Sequence, residues 1–86
     1  MTMTLRRGVS TADTDYGTTL LDEDSGEYFT LNPSATLVLR TLLGGGTAAE
    51  AAQALTAEYA VDTGTADRDV ADLLAELRSA GLVSER

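Results

Sequence analysis

Apolar and polar positions change their period once along this chain, at the dipeptide Asn32-Pro33. Upstream, short runs alternate with the period of a half-buried strand. Val9-Ser10-Thr11-Ala12-Asp13 predicts a first strand, Asp15-Tyr16-Gly17 a turn, and Thr18-Thr19-Leu20-Leu21 a second strand. The acidic segment Asp22 to Gly26 has the side chains of a turn, because Asp and Ser hydrogen-bond their own backbone and Gly tolerates positive φ. Glu27-Tyr28-Phe29-Thr30-Leu31 then predicts a third strand, its aromatic residues suiting a pleated, half-buried surface. The three form a meander in which the middle strand is covered on both sides and the first and third are edges.

Downstream the period is that of a helix. Asn32 can cap the free amides of a helix whose first turn accepts Pro33, and Ala35, Leu37, Val38, Leu39, Leu42 and Leu43 crowd one face until Gly44-Gly45-Gly46 stops it, with Arg40 and Thr41 on the wet side. Thr47-Ala48-Ala49-Glu50 is a capping box, which starts a second helix at Ala48 with Ala51, Ala52, Leu55 and Tyr59 as its apolar stripe. Val61 to Thr65 reads as a loop. A third helix follows from about Ala66 to Ala80, with Val70, Leu73, Leu74 and Leu77 at buried-stripe spacing and Gly81 as its stop, and Leu82-Val83 folds back on the core. Strands followed by helices make the fold class α+β, winged-helix-turn-helix-like, with a three-stranded antiparallel sheet ahead of three helices.

With 86 residues the chain makes one domain, spanning residues 1–86 with an ordered core from about Val9 to Val83. Met1 to Gly8 is expected as a loose lead-in that has only Leu5 as anchor and can pair at a sheet edge. Cysteine is absent, which removes disulfides and thiolate metal sites and fits a reducing cytoplasm. No apolar run approaches a membrane span, so a soluble cytoplasmic protein without a membrane partner is expected.

Charge narrows the functional classes. Fourteen acids stand against six arginines, with no lysine or histidine, giving −8. Nucleic-acid binding draws on cations that neutralise phosphates, and the arginines here are scattered in sequence. The third helix, which enters the major groove in a DNA-binding winged helix, holds four acids and two arginines between Ala66 and Ala80. A small winged-helix transcription regulator is therefore the alternative that architecture favours and charge opposes. Without His, Cys or Lys there is no recognisable nucleophile and base pair, so no catalytic residue and no enzymatic activity is expected.

The remaining motifs have bland explanations. Asp24-Ser25 is similar to the serine that carrier proteins load with phosphopantetheine, but carrier serines open a helix and precede a bulky apolar residue, whereas Ser25 precedes Gly26 and a strand. Gly44-Gly45-Gly46 lacks the lysine and spacing of a phosphate loop. Neither Asp22-Glu23-Asp24 nor the acids of the third helix have the alternating oxygen series of a calcium loop. No cofactor and no metal are expected.

Tyr28 and Phe29 leave opposite faces of the third strand. Phe29 shares a face with Leu31 and is assigned to the interior, which leaves Tyr28 either exposed beside the unpaired edge or packed under the N-terminal segment.

Leu20-Leu21-Asp22, Gly26-Glu27-Tyr28-Phe29, Leu31-Asn32-Pro33, Asp69-Val70, Leu73-Leu74, Leu77 and Gly81-Leu82 together carry a family resemblance. From about Val9 to Val83 the chain resembles the PqqD-like proteins, recognition elements for the precursors of ribosomally synthesised and post-translationally modified peptides (RiPPs), and it looks most like the stand-alone members of lasso peptide clusters. The resemblance implies a non-enzymatic domain that binds a precursor leader peptide as an added strand on Glu27, Tyr28, Phe29, Thr30 and Leu31. The groove wall it implies is the exposed side of Asp69, Val70, Leu73, Leu74 and Leu77. It further implies handover to a leader peptidase, a transglutaminase-like cysteine protease, and then to the ATP-dependent macrolactam-forming cyclase. A short edge strand beside an apolar stripe is physically suited to strand addition.

Overall fold

In the computed structural model, which describes residues 3–85, the change of period at Asn32-Pro33 is the boundary between sheet and helices. Strands β1 (Met3–Leu5), β2 (Val9–Thr14), β3 (Gly17–Asp22) and β4 (Glu27–Leu31) precede helices α1 (Pro33–Leu43), α2 (Ala48–Tyr59) and α3 (Thr63–Ser79), and β5 (Val83–Glu85) closes the chain. The fold is α+β, and its main sheet is a three-stranded antiparallel meander of order β2-β3-β4. Register pairs Leu20 with Phe29 and Thr18 with Leu31, so these four side chains share the face turned to the helices. Among the described residues no helix is long and apolar enough to cross a membrane.

Local chemistry sets the helix ends. Asn32 Oδ1 accepts from the Ala35 amide at 2.8 Å with Pro33 in the first turn. The capping box forms, Thr47 Oγ1 accepting from the Glu50 amide at 3.1 Å and Glu50 Oε1 from the Thr47 amide at 2.9 Å. At the end of α3, Gly81 adopts φ +69° while its amide donates to the Arg78 carbonyl and that of Leu82 to the Leu77 carbonyl. This paired bonding turns the chain sharply and buries Leu82.

Three expectations need correction. The segment read as a loose lead-in contains β1, which pairs antiparallel with β5, Met3 opposite Glu85 and Leu5 opposite Val83. Met3, not Leu5, is its buried anchor. Met1 and Thr2 of that segment, and Arg86, lie outside the described residues. Helix α3 begins at Thr63, three residues before Ala66, because Asp62 Oδ1 accepts from the Thr65 amide at 2.8 Å and nucleates a turn inside the expected loop. The buried stripe of α2 ends at Leu55, and Tyr59 is 44% exposed where the helix runs past the core.

The core lies between the sheet and all three helices. Leu20 is completely buried, in one cluster with Leu31 from β4, Val38, Leu39 and Leu42 from α1, Leu55 from α2, and Val70 and Leu77 from α3. Ala51, Ala52 and Ala66, also buried, have no bulk to hold neighbouring helices apart.

Candidate peptide-binding groove

Which backbone groups are free follows from the direction of two hydrogen bonds. The Glu23 amide donates to the Gly8 carbonyl at 2.8 Å, toward the β2 side, whereas the Asp22 carbonyl accepts from Gly26 at 2.7 Å, toward the β4 side. Main-chain groups alternate sides along a strand, so Asp22, Leu20 and Thr18 face β4 and their partners Glu27, Phe29 and Leu31 face back. The amides and carbonyls of Tyr28 and Thr30 therefore point away from the sheet, and among the described residues no strand covers them. Gly17 protects this geometry at the other end, since a Cβ there would stand 1.9 Å from the Leu31 carbonyl oxygen.

Two hollows relate α3 and the segment after it to the two ends of β4. Near the end of β4, a cleft of about 260 Å³ opens between Asn32, Ser34, Ala35 and Val38 on one side and Asp69, Asp72, Leu73 and Glu76 on the other, with Leu55 also lining it. Near the start of β4, Tyr28 and Phe29 meet Ala80 and Leu82 around a smaller hollow of about 30 Å³. On α3 and its C-cap these residues, 69, 72, 73, 76 and 80, fall at helical spacing on one flank.

The residues singled out from sequence divide between this groove and the core. Glu27, Tyr28 and Thr30 are exposed, Tyr28 at 73%, so its ring does not pack under the N-terminal segment, which pairs with β5 instead. Phe29 is half-buried and Leu31 is core. Asp69 stands on the rim of the cleft, and Leu73 reaches its wall from the core. Val70 and Leu77 are enclosed within the core and give the wall no exposed side. Leu74 lies on the opposite flank, lining another cleft with Met3 and Leu42. Sequence reasoning missed Asp72, Glu76 and Ala80, which repeat the position of Asp69 and Leu73 at three-, four- and seven-residue intervals; that spacing is the signal that finds them.

The electrostatics are those of an acidic rim. Arg6 Nη2 holds Asp22 Oδ2 at 2.8 Å at the start of the hairpin. Partial burial pushes the Asp22 carboxyl up, but the guanidinium and the amides of Asp24 and Ser25 outweigh it and keep the group below the usual carboxylate range. Asp69, Asp72 and Glu76 have no such partner among the described ion pairs. No group of three or more His, Cys, Asp or Glu among the described residues is arranged to hold a metal ion. The groove can hydrogen-bond an extended backbone, shelter an apolar side chain and attract a cation.

A helix-capped α+β frame with a free strand edge beside an acid-rimmed cleft is the fold of the RiPP recognition elements. The chain belongs to the PqqD family: the family model described as coenzyme PQQ synthesis protein D matches residues 17–83. It is similar to the protein solved as lasso peptide synthetase B1 complexed with the leader peptide, with 44% identity and a TM-score of 0.91 over 99% of this chain and 100% of that one. It is also similar to TbiB1, solved in complex with the TbiA(β) leader peptide, at 30% identity and a TM-score of 0.85 over 100% of this chain and 98% of that one. A third similar structure is the PqqD truncation of Methylobacterium extorquens PqqCD, a functional and stand-alone RiPP recognition element, at 25% identity and a TM-score of 0.73 over 96% of this chain and 88% of that one. No curated protein sequence matches the chain.

Proposed function

We propose that this protein is a non-enzymatic, cytoplasmic binder of the leader segment of a ribosomally made precursor peptide. The leader adds as a strand to β4 and packs against the groove flank of α3. The observation that carries this reading is the outward direction of the Tyr28 and Thr30 main-chain groups beside the cleft, in a chain 44% identical to a protein solved with a leader bound. Four main-chain hydrogen bonds at about 1 kcal/mol each reach only the low end of an association cost of about 4–15 kcal/mol, so net affinity needs apolar anchoring against Leu73 and Phe29 as well. Partners downstream are the transglutaminase-like leader peptidase and the macrolactam-forming cyclase of lasso peptide biosynthesis, to which the bound precursor is delivered.

The direct test is fluorescence anisotropy with the labelled leader of the precursor encoded beside this protein. Saturable binding with a Kd at or below about 10 μM is expected, and none by about 1 mM sinks the proposal. Duplex DNA offered in parallel at low salt is expected to stay free, because the carboxylates on α3 meet phosphate with like charge.

A further inference from the structure

The rim of the groove carries more negative charge than the protein itself neutralises. Asp69, Asp72 and Glu76 line the cleft beside Leu73, all three are exposed, and the arginines of the described ion pairs, Arg6, Arg40 and Arg78, are engaged elsewhere. Arg68, one turn before Asp72, makes no ion pair with it. The arrangement does nothing for the helix. Asp72 and Glu76 repel at four-residue spacing, and Glu76 occupies the last turn, where the helix dipole disfavours an anion. The apolar stripe through Val70 and Leu77 holds α3 in spite of this line of charge.

The carboxylates do match an added strand. Such a strand beside β4 turns alternate side chains toward the Phe29–Leu31 face, about 6.8 Å apart, close to the rise of about 6 Å between residues four apart on α3. An apolar side chain seated against Leu73 thus brings the next residue on its own face alongside a carboxylate. We infer that Asp69, Asp72 and Glu76 make this groove selective for leaders that carry Lys or Arg two residues from the apolar anchor. The inference rests on the leader-binding reading and specifies the peptide chemistry that reading leaves open. The free strand edge and the Leu73 wall of the cleft define where the peptide lies; the acids decide which peptide.

The experiment is selection from a display library of short peptides with one fixed Leu and Lys, Gln and Glu randomised around it. The parent protein, Asp72→Lys/Glu76→Lys, Asp72→Asn/Glu76→Gln and Thr30→Pro are compared, each verified as folded by thermal melt. The parent is expected to enrich Lys over Glu two positions from Leu by about twofold to fivefold, the scale of one exposed charge pair. Charge reversal inverts the preference and neutralisation abolishes it, whereas Thr30→Pro enriches nothing. Equal enrichment of Lys, Gln and Glu by the parent, or an unchanged Lys preference in either acid variant, overturns the charge selectivity and leaves strand addition standing. Enrichment by Thr30→Pro equal to the parent, or none by the parent, overturns strand addition and the inference with it.

Discussion

Arg6 Nη2 lies 2.8 Å from Asp22 Oδ2, and this contact joins the end of the first strand to the hairpin that carries the free edge. The same residue donates its amide to the Leu82 carbonyl at 2.9 Å and its Nε to the Gly81 carbonyl, so the exit of α3 is held by the same side chain and backbone. The two walls of the groove are thereby pinned at one end. Arg6→Met is expected to lower the melting temperature and weaken leader binding, while Arg7→Met, at an exposed neighbour, changes neither. Melts and anisotropy on the pair check this; equal behaviour of the two variants contradicts the pinning role.

Proline substitution separates the free edge from the paired one. The Thr30 amide points outward, so Thr30→Pro removes a donor that the sheet does not use and is expected to weaken leader binding by about tenfold or more with a cooperative melt retained. Thr19 faces β2 opposite Ala12, so Thr19→Pro breaks a ladder bond in the central strand and is expected to unfold the domain. A folded Thr30→Pro that binds as tightly as the parent moves the binding edge to β2.

Truncations on α3 distinguish core from groove. Val70→Ala leaves a void at a side chain only 2% exposed and is expected to cost about 1–3 kcal/mol of stability with the folded protein's leader affinity unchanged. Leu73→Ala removes both a core contact and the cleft wall, so stability falls by about 2–5 kcal/mol and affinity falls too. Leu74→Ala, on the far flank, leaves affinity intact. Urea denaturation alongside leader titration reads both quantities, and a loss of affinity confined to Leu74→Ala would falsify the assignment of the groove flank.

Acid sensitivity follows from three depressed carboxyls. Arg40, 2.7 Å away, and the Thr18 hydroxyl hold Asp13 below its usual range; the Thr65 amide and hydroxyl do so for Asp62, and Arg6 with the turn amides does so for Asp22 despite its burial. A carboxyl depressed in the folded state contributes stability that is present above its unfolded value of about 4 and is lost as pH falls through the folded value. Stability is therefore expected to be level between about pH 6 and 8, where no histidine titrates, and to decline below about pH 4. Melting temperatures across that range check it; a decline already complete at pH 6 points to a different group.

Elements whose boundaries are written in adjacent residues are legible in the sequence alone. Asn32-Pro33, Thr47 with Glu50, and Gly81 each place a helix end through hydrogen bonds spanning a few residues, and Gly26 with Asp22 closes a hairpin in the same way. The pairing of β1 with β5 is not legible there, because three-residue strands carry almost no periodic signal and their partners lie at opposite ends of the chain. That pairing settles the fate of Tyr28, since a segment held against Val83–Glu85 does not lie over the ring. The rotation of α3 is decided in the same way. An apolar stripe that includes Val70, Leu73, Leu74 and Leu77 is wide enough to face several directions, and only packing against α1, α2 and the sheet turns Val70 and Leu77 inward, Leu73 to the groove and Leu74 away. Local hydrogen bonding specifies where each element starts and stops; the side it presents depends on the neighbours that bury it.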